Sequence, residues 1–160
     1  MLAIDKLVPG FDSALAAIPG GTEMARVLDQ STEEGNLTAR TAALIRVAVA
    51  QRTGGPYARW AMQRLAAREW IGAEDIFFAS AGTARDPVES AIVKAATHMA
   101  CTGRRAQPAD FQTLARMIGM PKATEVVAQV ALSMLACEAL ASIAPSTGAG
   151  TLTTGKGAQQ

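Results

Sequence analysis

Side chains able to carry acid–base or thiol chemistry are scarce in this chain. Its 160 residues include one histidine (His98), one tyrosine (Tyr57) and two cysteines (Cys101 and Cys137), and aromatics make up only 4%. One histidine without clustered carboxylates supplies too few ligands for a metal, so no metal and no cofactor are expected. Two cysteines far apart, with no export signal ahead of them, read as buried thiols rather than a disulfide. Charge of one sign is also lacking. Fifteen Lys and Arg oppose fourteen Asp and Glu, and the net +1 gives no reason to expect nucleic acid as a partner. No apolar run reads as the roughly 18 residues needed to cross a bilayer, so no membrane partner is expected. Asp5 and Lys6 come before any long apolar stretch, which is wrong for a signal peptide, and the expected location is cytoplasmic.

Helix formers fill the middle of the chain, and Gly and Pro punctuate it. No period-2 alternation bounded by turns is present, so the expected fold is all-α: a bundle of about six to eight helices in one domain over residues 1–145. Short helices are expected over 12–18 and 23–30. Thr38 opens a longer one to about Gln51, apolar on nearly every side apart from Arg46, and therefore central. Thr53-Gly54-Gly55 stops it, and Pro56 suits the first position of the next, which runs to about Glu69. A short helix over Ala73–Ser80 follows. Asp86-Pro87-Val88-Glu89 then combines an N-cap, a first-position proline and an acid three residues after the cap. That helix runs to about Thr102, another opens at Pro108 and ends at Gly119, and the last extends from Pro121 to about Ser142. The remainder, 146–160, is a Gly- and Thr-rich tail with too little apolar area to offset the entropy of ordering.

Between Lys122 and Pro145 the only charges are Glu125 and Glu138, and apolar residues cover more than one face. Such a helix is either wholly buried or has one face in the core and another at a subunit contact. The long Thr38 helix already needs covering, so the second arrangement is expected, and with it a homo-oligomer.

The segment from Thr38 to Gly82 carries a long apolar helix, a Gly-Gly-Pro-Tyr turn, a second helix and a short third one opening at Ala73-Glu74-Asp75-Ile76. This resembles the carboxymuconolactone decarboxylase and alkylhydroperoxidase D superfamily over residues 37–140. Members carry a Glu on the first helix and Cys-x-Tyr-Cys-x-x-x-His on the second. Here Tyr57 matches. The cysteine positions fall on Gly55 and Ala58, the histidine position on Met62, the glutamate position on Ala43, and the glycine at the helix exit on Trp70. The resemblance implies an alkylhydroperoxidase D-like helical fold, a homo-oligomer (trimer, hexamer or dimer) and an old pocket lined by Ala43, Tyr57, Trp60 and Met62. The thiol redox and decarboxylase chemistry of the family is not expected, because the four residues that would perform it are replaced.

Three function classes follow. The first is a protein with a degenerate active site that binds or converts a small apolar or aromatic compound. The second is a non-catalytic oligomeric scaffold, and the third an alkylhydroperoxidase-type antioxidant enzyme with relocated chemistry. Tyr57 and His98 are the candidate catalytic side chains. His98 has the pKa class of a general base, set against the plainer reading of a surface or backbone-bonded histidine. Trp60 and Arg64, four residues apart, are expected to stack.

Overall fold

A computed structural model describes residues 13, 16–23, 26, 35–102 and 108–143. Six helices are delimited there: α1 (Ala39–Thr53), α2 (Pro56–Arg68), α3 (Ala73–Ser80), α4 (Pro87–Cys101), α5 (Pro108–Ile118) and α6 (Met120–Ile143). No strand occurs among the described residues, and the all-α expectation holds. Of the short helix expected over 12–18, residues 13 and 16–18 are described, with Ser13 and Ala16 helical; the one expected over 23–30 lies for the most part outside the described residues, and the tail 146–160 wholly so.

The helix starts follow from local chemistry. The Thr38 hydroxyl accepts the Thr41 N–H at 3.1 Å and caps α1. Asp86 Oδ1 accepts the N–H groups of Val88 and Glu89, both at 2.9 Å, and caps α4 with Pro87 in its first turn. At the α1–α2 corner the two glycines have different roles. A Cβ on Gly54 would lie 2.6 Å from the Ala50 carbonyl oxygen and 3.0 Å from the Ala58 Cβ, so only glycine permits this approach of the two helices. A Cβ on Gly55 meets nothing within 4 Å.

The exit of α2 is a Schellman turn with an unusual occupant. Trp70 N–H bonds to the Ala67 carbonyl at 3.2 Å and Ile71 N–H to the Ala66 carbonyl at 3.4 Å, while Trp70 itself has φ 59°. Glycine normally fills that left-handed position. A Trp there costs about 1 kcal/mol more, because its Cβ crowds the backbone. Ile71 turns inward to pack with Ala66 beneath the turn, but Trp70 is 95% exposed.

α1 is the shaft of the bundle. Ten consecutive residues, Thr41 to Ala50, are buried, including Arg46. Three core clusters surround it: Ala50 joins one with α2 and α6, Ile45 and Val49 another with α4, α5 and α6, and Ala43, Leu44, Val47 and Ala48 a third with α3 and α4. α6 supplies Cys137 and Leu140 to the first and Val126, Val130 and Met134 to the second. It is not wholly buried, since Ala128, Ala131 and Leu135 face outward at i, i+3 and i+7. By length and composition Met120–Ala141 does qualify as a membrane span, contrary to the expectation that no run would, and 56% of that window is buried in the fold. The expectation missed it because Lys122, Glu125 and Glu138 break the run without lowering its mean hydropathy enough.

An ionic cluster pins the front of the bundle. Asp75, 6% exposed in the first turn of α3, accepts from Arg40 at 3.0 Å and from Arg85 at 2.8 and 2.9 Å. Arg40 continues to Glu89 at 3.1 Å and Arg85 to Glu74 at 3.0 Å. The Arg40 guanidinium holds the Asp75 carboxyl below the usual carboxylate range against the opposing effect of burial, and Arg85 adds to it.

Candidate functional site

The residues at the motif positions fall in more than one core cluster. Met62 is buried in the cluster that α2 forms with α6, and Ala43 in the one that α1 forms with α3, α4 and Ala66 of α2. Tyr57 packs half-buried on the Met62 cluster and stacks on Trp60 with ring centroids 5.5 Å apart and planes at 27°. Trp60 faces outward, and the Arg64 guanidinium lies 5.9 Å from its ring centroid, giving the expected stack. Three cavities described in the structure are lined by other residues.

The two cysteines are free and differently placed. Cys137 sits in the α2–α6 core, where burial pushes its thiol up to about 11; a hydrogen bond with Thr53 opposes this and the Glu138 charge adds to it. A thiol so disposed stays protonated at neutral pH and is a poor nucleophile. Cys101 is exposed at the end of α4. Packing does not explain the absence of a cysteine at position 55, because a side chain there has open space.

A groove with chemistry of its own lies between α4 and α5. α4 lines it with Ala91, Lys94, Ala95 and His98, and α5 with Asp110, Thr113, Leu114 and Met117. Both sets are spaced i, i+3, i+4, i+7, so each is a single helical face. The groove has a volume of about 390 Å³. Leu114 is buried at its floor, and the His98–Asp110 pair forms its polar end. His98 Nδ1 lies 2.9 Å from Asp110 Oδ2. The contact is an ion pair when the ring is protonated, and in the neutral ring the nitrogen without a proton is an acceptor. A neutral ring whose proton is on Nδ1 accepts a hydrogen bond from a ligand hydroxyl, or takes its proton, at Nε2.

A second cavity, of about 280 Å³, lies where the entry to α1 meets α4 and the α5–α6 corner, with Thr38, Thr41, Glu89 and Lys122 among its walls. Glu89 is held there by Arg40.

The sequence signalled His98 by its type but gave no sign of its partner. Asp110 is twelve positions away and on another helix, so no local rule brings the two side chains together. The aligned spacing of 91–94–95–98 and 110–113–114–117 was the available clue, and it has meaning only once the two helices are known to pair. Among known proteins, no described family, no curated protein and no solved structure matches the chain.

Proposed function

We propose that this chain binds a small, largely apolar compound carrying one hydroxyl, held in the α4–α5 groove without thiol redox chemistry. In this reading it descends from a carboxymuconolactone decarboxylase-like ancestor whose catalytic residues have been replaced by Ala43, Gly55, Ala58 and Met62. The observation that carries the proposal is the pairing of the chain's one histidine with Asp110 at the end of a mainly apolar groove. Leu114, Met117 and the two alanines offer apolar walls to a ring or chain, and Nε2 of His98 offers one acceptor. Proton transfer from the bound hydroxyl to Nε2 is the chemistry such a site would support.

The test is a titration with 2-naphthol and with its methyl ether, followed by NMR or calorimetry. 2-Naphthol is expected to bind about fivefold more tightly, corresponding to roughly 1 kcal/mol for one neutral hydrogen bond. His98→Ala should remove that preference, and Thr113→Trp, which fills the groove from its exposed side, should abolish binding of both. Equal binding of the two compounds by the unaltered protein, or binding indifferent to Thr113→Trp, contradicts the proposal.

A second reading, a homo-oligomeric scaffold, is favoured by the outward face of α6. Ala128, Ala131 and Leu135 are exposed there, flanked by half-buried Val127 and Leu132. Sedimentation at tens of micromolar (roughly the range for contacts of standard size) should give a multimer that Leu135→Lys dissociates. A monomer at that concentration rejects it.

A further inference from the structure

The even charge balance of the whole chain conceals a polarised surface. Residues 52–70 hold four arginines (Arg52, Arg59, Arg64 and Arg68) and one acid, Glu69. The whole chain is only +1, so the remainder is net negative. Two of these arginines, Arg64 and Arg68, share one face of α2. Pro56, Trp60, Arg64, Ala67 and Arg68 follow helical spacing on one face, and all five are exposed. Glu69 is less exposed than these, with its carboxylate 3.8 Å from Arg68. Two residues beyond Arg68 the chain turns through the left-handed Trp70, whose indole stands almost entirely in solvent.

We propose that this face of α2, with the Trp70 knuckle at its end, docks onto a membrane surface rich in anionic lipid headgroups. The arginines match the headgroup charge, and Trp60 and Trp70 are the residue type that settles at the boundary between headgroups and acyl chains. Trp70 returns nothing to the fold in exchange for its strained backbone, so the use of its ring lies outside the chain. A second copy of the same face fits poorly, because a two-fold contact would set arginine against arginine. Single-stranded nucleic acid also fits less well. It needs open aromatic faces for successive bases, and Trp60 already has Tyr57 stacked on it and Arg64 over its ring. A lipid surface asks only for cations and for an indole that projects.

The experiment is co-sedimentation of the full chain with phosphatidylcholine vesicles, with and without about one-third phosphatidylglycerol, while following tryptophan emission. Binding and a blue shift are expected with the anionic vesicles alone. Both should weaken at least tenfold in 0.5 M salt, where screening acts over roughly 4 Å. Trp70→Gly suits the left-handed turn and leaves the fold intact, so its expected loss of at least fivefold in partitioning is not a folding effect. The Arg64→Gln, Arg68→Gln double variant should lose at least tenfold, and Gln112→Ala, at an exposed position of α5, should bind as the parent does. Absence of binding to anionic vesicles, equal binding to neutral ones, or parental binding by Trp70→Gly would each overturn the proposal. So would a dimer that Trp70→Gly dissociates, or binding of a single-stranded oligonucleotide without binding of vesicles.

Discussion

The carboxylate of Glu125 on α6 accepts the backbone N–H of Asn36 at 2.6 Å and that of Leu37 at 3.3 Å, joining the entry of the first described helix to the last. These N–H groups lie just ahead of the Thr38 cap, where the chain is turning into α1 and has no helical carbonyl to donate to. Glu125→Ala would leave them without that acceptor beside the buried Leu37. A loss of about 1–2 kcal/mol is expected, or roughly 3–6 °C in Tm for a chain of this size. Hydrogen exchange at Asn36 and Leu37 should quicken more than in α4. Unchanged exchange at those two amides would show that the contact does not hold the entry in place.

Asp75 should make the fold acid-sensitive. Its carboxyl is held below the usual range in the folded chain, chiefly by Arg40. The unfolded chain therefore takes up the proton first as pH falls. The stabilisation is present above an ordinary aspartate value of about 4 and disappears as pH drops through the lower folded value. Asp75→Asn should cost about 2 kcal/mol at pH 7 by leaving Arg40 and Arg85 each short of a partner. It should also flatten the acid limb of a urea-unfolding series. An acid limb identical to that of the parent would place the sensitivity elsewhere.

Replacing Trp70 should strengthen the fold. Trp70→Gly relieves the left-handed strain and removes a side chain with almost no packing, so a gain of about 0.5–1 kcal/mol is expected in chemical denaturation. Trp70→Ala keeps a Cβ and should gain less. A destabilised glycine variant would mean that the indole packs after all.

Cys137 bears on the alkaline side. Burial raises its thiol to about 11, so the unfolded chain loses the proton before the folded one does. Stability should then fall as pH climbs from about 9 to 11, by up to roughly 2–3 kcal/mol. Cys137→Ala should remove that slope while creating a small cavity, whose cost is the same at every pH. Peroxide reduction with a dithiol donor should be absent in the parent and in both Cys101→Ser and Cys137→Ser. Dithiol-dependent turnover that disappears in either variant would restore the thiol reading.

Helix boundaries were legible where a residue's own backbone chemistry sets them. Thr38, Pro56 and the Asp86–Pro87 pair open helices as expected, and Ala73–Ser80 is found over its expected range. The central position of α1 was legible as well, because Ala, Val, Leu and Ile on every side leave no face for water. What could not be read depends on pairing between elements. Asp75 looks like an ordinary first-turn acid until Arg40 and Arg85 arrive from two other segments. His98 looks like an ordinary helical histidine until α5 brings Asp110. Trp70 stands at a helix exit in the sequence, but its left-handed turn and open indole depend on how Ile71 is drawn into the core.

The all-round burial of α1 also has a consequence in time. A ribosome releases chain at about 5–20 residues per second. α1 therefore emerges with its apolar sides bare and can cover only one of them with α2 at once. The last side is closed by α6, which follows the whole of α2 to α5. For several seconds the nascent chain presents a sticky helix with no native neighbour on that side. Truncations ending before Leu140 should accordingly be substrates for chaperones rather than smaller folded proteins.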